Sequence, residues 1–133
     1  MAVVGSALFA DAGLTAHFGL NSAKLVKFLA EVERGYLASN TYHNALHGLD
    51  VGQTMHFFLT EGVGLGNQCS WPEKLAALTA ALVHDVGHRG LNNNWLIATD
   101  DPLAITYNYT SPLESMHASK VSKCYRVLHV GDK

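Results

Sequence analysis

The chain has 133 residues, of which 48 % are hydrophobic and 15 % charged, with a formal net charge of −2. This length supports one domain with a core of its own, and the charge balance gives no electrostatic case for nucleic acid or an anionic membrane as partner. No run of 18 or more apolar residues exists, so no transmembrane helix is expected, and the mildly apolar first 20 residues lack the basic n-region of a signal peptide.

In chain order the pattern reads as almost all helix. Leu25, Phe28, Leu29, Val32 and Tyr36 recur at steps of three and four, which predicts an amphipathic helix capped at Asn21 or Ser22. Lys27 and Glu31 are spaced to pair on its outer face. A second helix is predicted from Tyr42 to about Thr60, with His43, Leu46, His47, Asp50, Thr54 and Phe57 on or near one face. Gly62, Gly64, Gly66 and Asn67 form the main loop. Ser70 and Glu73 make a capping box with Pro72 in the first turn. The helix they open buries Leu75, Leu78 and Leu82 and ends at His84 and Asp85, before Gly87 and Gly90. A short helix follows around Asn93–Ala98. Ser111, Pro112, Leu113 and Glu114 form a second capping box, opening a last helix with Leu113, His117, Val121, Cys124 and Leu128 inward. Strand-like alternation, repeats and linkers are absent, so residues 1–133 are expected to be all-α, a multi-helix bundle. Cys69 and Cys124 lack CxxC spacing and read as free thiols in a reducing compartment, the cytoplasm. Trp71 and Trp95 read as core anchors, and His17, His56 and His129 as structural or exposed.

Two histidine groups carry the chemistry. Adjacent His84 and Asp85 lie about 100° apart on a helix, so both can reach one metal ion. His43 and His47, four apart, share a helix face, so one can bind metal while the other does acid–base work. Imidazole with carboxylate suits Zn²⁺, and a bridging carboxylate suits Mg²⁺ or Mn²⁺. The expected chemistry is metal-assisted hydrolysis.

The run Tyr42-His43-Asn44-Ala45-Leu46-His47-Gly48-Leu49-Asp50-Val51 is similar to the YHNxxHxxDV signature of the cyclic-nucleotide phosphodiesterase catalytic domain. That domain is a helical member of the His-Asp metal phosphohydrolases. His84-Asp85-Val86-Gly87-His88-Arg89-Gly90, with Asn92-Asn93 beyond, resembles its HDxxHxG…N signature. Tyr107-Asn108 and Ser111-Pro112-Leu113-Glu114 resemble its YN…SxLE segment. The resemblance runs in order over nearly the whole chain. It implies hydrolysis of cAMP or cGMP to the 5′-monophosphate in signal transduction, with two divalent ions, Zn²⁺ at the first site and Mg²⁺ or Mn²⁺ at the second. The family's domain is longer, and its further Asp ligand, purine-orienting glutamine and aromatic clamp have no counterpart here. The chain therefore resembles the N-terminal part, with the remainder of the catalytic domain missing. Met116 stands where many members carry His.

Carried over residue by residue, the resemblance makes His47, His84 and Asp85 the first metal's ligands, with Asp85 bridging to the second. It makes His43 the general acid for the leaving O3′. His88 and Glu114 hold waters on the second metal, and Asn44 and Asp50 accept hydrogen bonds from ligand histidines. Substrate would meet His43, His47, Asp85 and Asn93. Two alternatives remain: another His-Asp nucleotide phosphohydrolase, or a non-catalytic helical fragment with an incomplete metal site.

Overall fold

A computed structural model describes residues 1–61 and 65–127. The described residues form nine helices and no strand, in agreement with the expected all-α class. These are α1 (Ala2–Asp11), α2 (Leu14–Phe18), α3 (Ser22–Gly35), α4 (Ala45–Thr60), α5 (Leu65–Gln68), α6 (Trp71–Val83), α7 (Asn93–Ala98), α8 (Pro102–Thr106) and α9 (Pro112–Val127). None is long and apolar enough to cross a membrane.

Local chemistry sets the helix starts. Asn21 caps α3 by accepting the Lys24 N–H at 3.0 Å. Ser70 and Glu73 cap α6 reciprocally, as the sequence predicts, with the Ser70 N–H donated to Glu73 Oε2 at 2.7 Å. The start of α4 differs from expectation. Asn44 is its N-cap, and its Oδ1 accepts the N–H groups of Leu46 and His47. Tyr42 and His43 therefore lie outside the helix, in the connector from α3.

The bundle centres on α4 packed against α6, with α1 across α3 and α4, and α9 against α3. Phe9, Leu29, Val32, Leu78, Leu82 and Val86 are among the buried side chains of the main core. The stripe of α4 that meets α6 and Tyr36, just past the end of α3, contains Gly48 and Gly52. A Cβ at Gly52 would lie 2.4 Å from Leu82 Cδ2, and one at Gly48 would lie 2.5 Å from Tyr36 Oη. The missing side chains let α4 approach its neighbours closely enough to bring His47 beside the end of α6. A second, smaller cluster joins α7, α8 and α9 through Leu96, Ala104, Leu113 and Met116.

Several expectations are corrected. Gly66 and Asn67 sit in the one-turn α5, and residues 62–64 lie outside the described residues, as do Leu128 and His129. Glu31 pairs with Arg34 in place of Lys27. Trp71 and Trp95 are 39 % and 46 % exposed, so neither is a core anchor; His17 stacks on Trp71 at 4.2 Å. His56 is half-buried, with Nε2 2.9 Å from Asp11 Oδ2. The second capping box is not formed at Ser111. That residue has φ 42°, and the Leu113 N–H is accepted by Asn93 Oδ1 at 3.0 Å.

Candidate metal centre

Helix α6 ends at Val83, and His84 to Gly87 form a turn. The helix does not continue to His88, so the expected shared face of His84 and His88 is absent. Gly87 has φ +78° and Gly90 has φ +80°, backbone that glycine adopts without strain. The chain reverses there and returns His88 to the same place by a different route. Tyr36, buried after the end of α3, secures this turn. Its hydroxyl donates to the Leu82 carbonyl at 3.0 Å and accepts the Asp85 N–H at 3.4 Å. Burial pushes the Tyr36 phenol up to about 12.

Four imidazoles gather around the Asp85 carboxylate. Oδ2 lies 3.1 Å from His84 Nε2 and 3.4 Å from His47 Nε2, while Oδ1 lies 3.8 Å from His117 Nε2. The His47, His84 and Asp85 ligand atoms all fall within 4.8 Å of one another, and so do those of Asp85, His88 and His117. Asp85 is thus shared between two sides of one centre, one carboxylate oxygen turned to each.

The hydrogen bonds decide which side chains have an electron pair to give. His84 Nδ1 is 2.9 Å from the Ala81 carbonyl, which can only accept, so Nδ1 carries the proton and Nε2 is bare in the neutral ring. A bare Nε2 facing a carboxylate oxygen at 3.1 Å is a repulsive contact between two electron pairs, relieved either by a proton on Nε2 or by a metal cation held by both atoms. The donor set formed by His84, His47 and Asp85 Oδ2 therefore fits a divalent metal, and imidazole nitrogen with carboxylate oxygen is a set that Zn²⁺ accepts. His117 has the same arrangement, with Nδ1 2.9 Å from the Val86 carbonyl and Nε2 turned to Asp85.

His88 is different. Its Nδ1 accepts the Gly90 N–H at 2.9 Å. Burial, and then the neighbouring His43, hold His88 below the ordinary histidine pKa, so the ring is neutral at pH 7. With Nδ1 accepting, the proton resides on Nε2. His88 can donate to a water or a phosphate oxygen, and it has no free nitrogen for a metal.

His43 stacks on His88 with ring centroids 3.9 Å apart and stands 5.9 Å from the His47 ring. It reaches this place from the connector and not, as expected, from a helix face shared with His47. Glu114 accepts from Asn93 Nδ2 at 3.0 and 3.3 Å, and this hydrogen bond foremost holds its carboxyl below the usual range. Ionised Glu114 adds negative charge beside His117 and His88.

Other predicted positions contribute differently from expectation. The Asn44 amide is occupied by backbone, capping α4 and donating to the Asn40 carbonyl at 3.0 Å, so it supports His47 through the helix start and not through the ring. Asp50 is exposed and has no hydrogen-bond partner among the described residues, so it is not the acceptor behind a ligand histidine. Asn93 uses both ends of its amide on α9. Sequence reasoning missed three contributors. Tyr36 and Asn40 act through contacts nearly fifty positions away, which no local spacing reveals. His117 had a signal, a histidine at an inward position of α9 next to Met116. Met116 packs into the α7–α8 cluster, and one residue of helical rotation turns His117 to Asp85.

Comparison with known proteins agrees with this geometry. A family model described as 3'5'-cyclic nucleotide phosphodiesterase matches residues 42–130. The probable 3',5'-cyclic phosphodiesterase pde-1 of Caenorhabditis elegans is 39 % identical over 131 residues, 98 % of this chain and 19 % of that protein. The mouse dual specificity calcium/calmodulin-dependent 3',5'-cyclic nucleotide phosphodiesterase 1B is 40 % identical over 109 residues, 81 % of this chain and 20 % of that protein. The crystal structure of the phosphodiesterase domain of Salpingoeca rosetta rhodopsin phosphodiesterase superposes with a TM-score of 0.85 at 31 % identity, over 92 % of this chain and 36 % of that one. The chain thus spans about a fifth of the length of these curated relatives.

Proposed function

Because the chain belongs to the 3'5'-cyclic nucleotide phosphodiesterase family, we propose that residues 1–133 are the N-terminal part of a catalytic domain that hydrolyses cAMP or cGMP to the nucleoside 5′-monophosphate. The observation that carries this reading is the convergence of bare His84 Nε2, His47 Nε2 and Asp85 Oδ2, with His43 beside them. His47, His84 and Asp85 would hold the first ion, for which Zn²⁺ is suited. Asp85 Oδ1 would serve the second side, beside His117, where Mg²⁺ or Mn²⁺ would be held mostly by waters. When bound, the ions supply Lewis acidity and a nucleophilic water at neutral pH.

The chain's own residues do the rest. As water attacks phosphorus, the P–O3′ bond breaks and its electron pair goes to O3′. His43 delivers a proton to that oxygen. His88 donates from Nε2, and Glu114 accepts, to orient water on the second side. Asn93 holds Glu114, which supports an indirect role for it at the substrate. A cytoplasmic location belongs to the same reading and is supported by two unpaired, half-buried cysteines.

The test is a hydrolysis assay with metal analysis, on a protein carrying residues 1–133 within a complete catalytic domain. His43→Ala should lower kcat by about 10²–10⁴-fold and leave metal content intact. Asp85→Asn should lose both turnover and metal. Near-normal turnover in His43→Ala, or loss of its metals, overturns the role of His43.

A further inference from the structure

The connector between α3 and α4 turns on Asn40, whose side chain joins the two histidine motifs. Its Oδ1 accepts the N–H groups of Tyr42 and His43, both at 3.2 Å. Its Nδ2 donates to the His88 carbonyl at 3.2 Å, 48 positions along the chain. Its own carbonyl accepts from Asn44, the residue that caps α4 at His47. The far wall is close, since a Cβ on Gly90 would lie 3.5 Å from Asn40 Nδ2. One half-buried amide thus ties the backbone of His43 to the backbone of His88, and these are the two residues whose rings stack at 3.9 Å.

We propose that Asn40 is a positioning residue that sets the place of His43 by bridging its amide to the His88 carbonyl, and so fixes the proton donor on the leaving-group side of the centre. This rests on the functional reading above for the role of His43, though the bridge itself does not. The ordinary alternative is a turn residue, because Asn commonly accepts backbone N–H groups in turns. The two roles use different ends of the amide. A turn needs only the Oδ1 acceptor, whereas the bridge needs the Nδ2 donor as well.

Asn40→Ser separates them without adding charge. The serine Oγ can accept in the turn and is too short to reach the His88 carbonyl. Asn40→Ala removes both ends. In the 133-residue chain, nuclear Overhauser effects between the His43 and His88 ring protons should be present in the wild type and lost in Asn40→Ser, with amide dispersion elsewhere retained. If they persist in Asn40→Ser, the bridge does not set His43 and the proposal is overturned.

A second measurement uses two substrates with the complete catalytic domain. Displacing a catalytic group by about 1 Å costs on the order of 10²-fold. Asn40→Ser should therefore lose about that factor in kcat on a 3′,5′-cyclic nucleotide, with little change in KM. On bis(4-nitrophenyl) phosphate the loss should be at most about threefold, because 4-nitrophenolate leaves without a general acid. Equal losses on both substrates would show a structural effect and overturn the proposal. A wild type that hydrolyses neither substrate would remove the functional reading, and the proton–proton contacts would still decide whether Asn40 places His43.

Discussion

Placing a methyl group at Gly52 tests how tightly α4 must approach α6. An alanine Cβ there would sit 2.4 Å from Leu82 Cδ2 and 2.9 Å from Leu82 Cγ. Carbon atoms prefer about 3.5–4.0 Å, so a displacement of roughly 1 Å is required. Leu82 is fully buried, and because Cγ clashes as well as Cδ2, rotating the end of the side chain is not enough. The helices must separate. Overpacking of this kind costs about 1–3 kcal/mol, while replacing glycine by alanine inside a helix returns up to about 1 kcal/mol. Gly52→Ala should therefore be destabilised by about 1–2 kcal/mol net in urea unfolding of the 133-residue chain. In a Leu82→Ala background the clash is gone and the same substitution should become neutral or favourable, a coupling of about 1–3 kcal/mol across the double-mutant cycle. Gly52→Ala stabilising the wild-type background, or no coupling with Leu82, would refute the close-approach argument.

Other outcomes follow from the centre itself. Zn²⁺ should raise the melting temperature of the chain; His84→Ala should abolish that rise, whereas His88→Ala should leave Zn²⁺ affinity within about threefold because its nitrogens are committed elsewhere. Calorimetric titration checks both, and equal losses in the two variants would invalidate the tautomer assignment. Tyr36 gives a pH dependence. Its folded pKa of about 12 lies above the ordinary phenol value of 10.0, so its contribution is fully present below pH 10 and is lost as pH rises from 10 through 12. Two units correspond to roughly 2–3 kcal/mol, and urea midpoints between pH 9 and 12 should fall more steeply for the wild type than for Tyr36→Phe; parallel curves would count against it.

The sequence made the candidate metal ligands legible because each is announced by dense local spacing: two histidines four apart, and a His-Asp pair at the end of a capped helix. The helices with strong periodicity or clear caps, α3, α6 and α7, were equally legible. What local spacing misjudged is how those segments are held. Asn44 ended the predicted extension of α4 toward Tyr42 because its side chain outcompetes helix continuation for two N–H groups. Asn40 belongs to none of the motifs, and its donor to His88 exists only after folding. The exposed faces of Trp71 and Trp95 depend likewise on which side of a helix meets the core, a tertiary matter that size and hydrophobicity do not decide.

The small cluster of Leu96, Ala104, Leu113 and Met116 stands apart from the main core and holds the first turns of α9, whose His117 faces Asp85. Cooperative unfolding need not reach the whole bundle at once. A partial opening that releases α7 to α9 would withdraw His117 and Glu114 together, while His47, His84 and Asp85 stayed anchored between α4 and α6. The two sides of the centre then differ in local stability. Under mild denaturant the side of His117 and Glu114 should be dismantled first, and the side of His47 and His84 should outlive it.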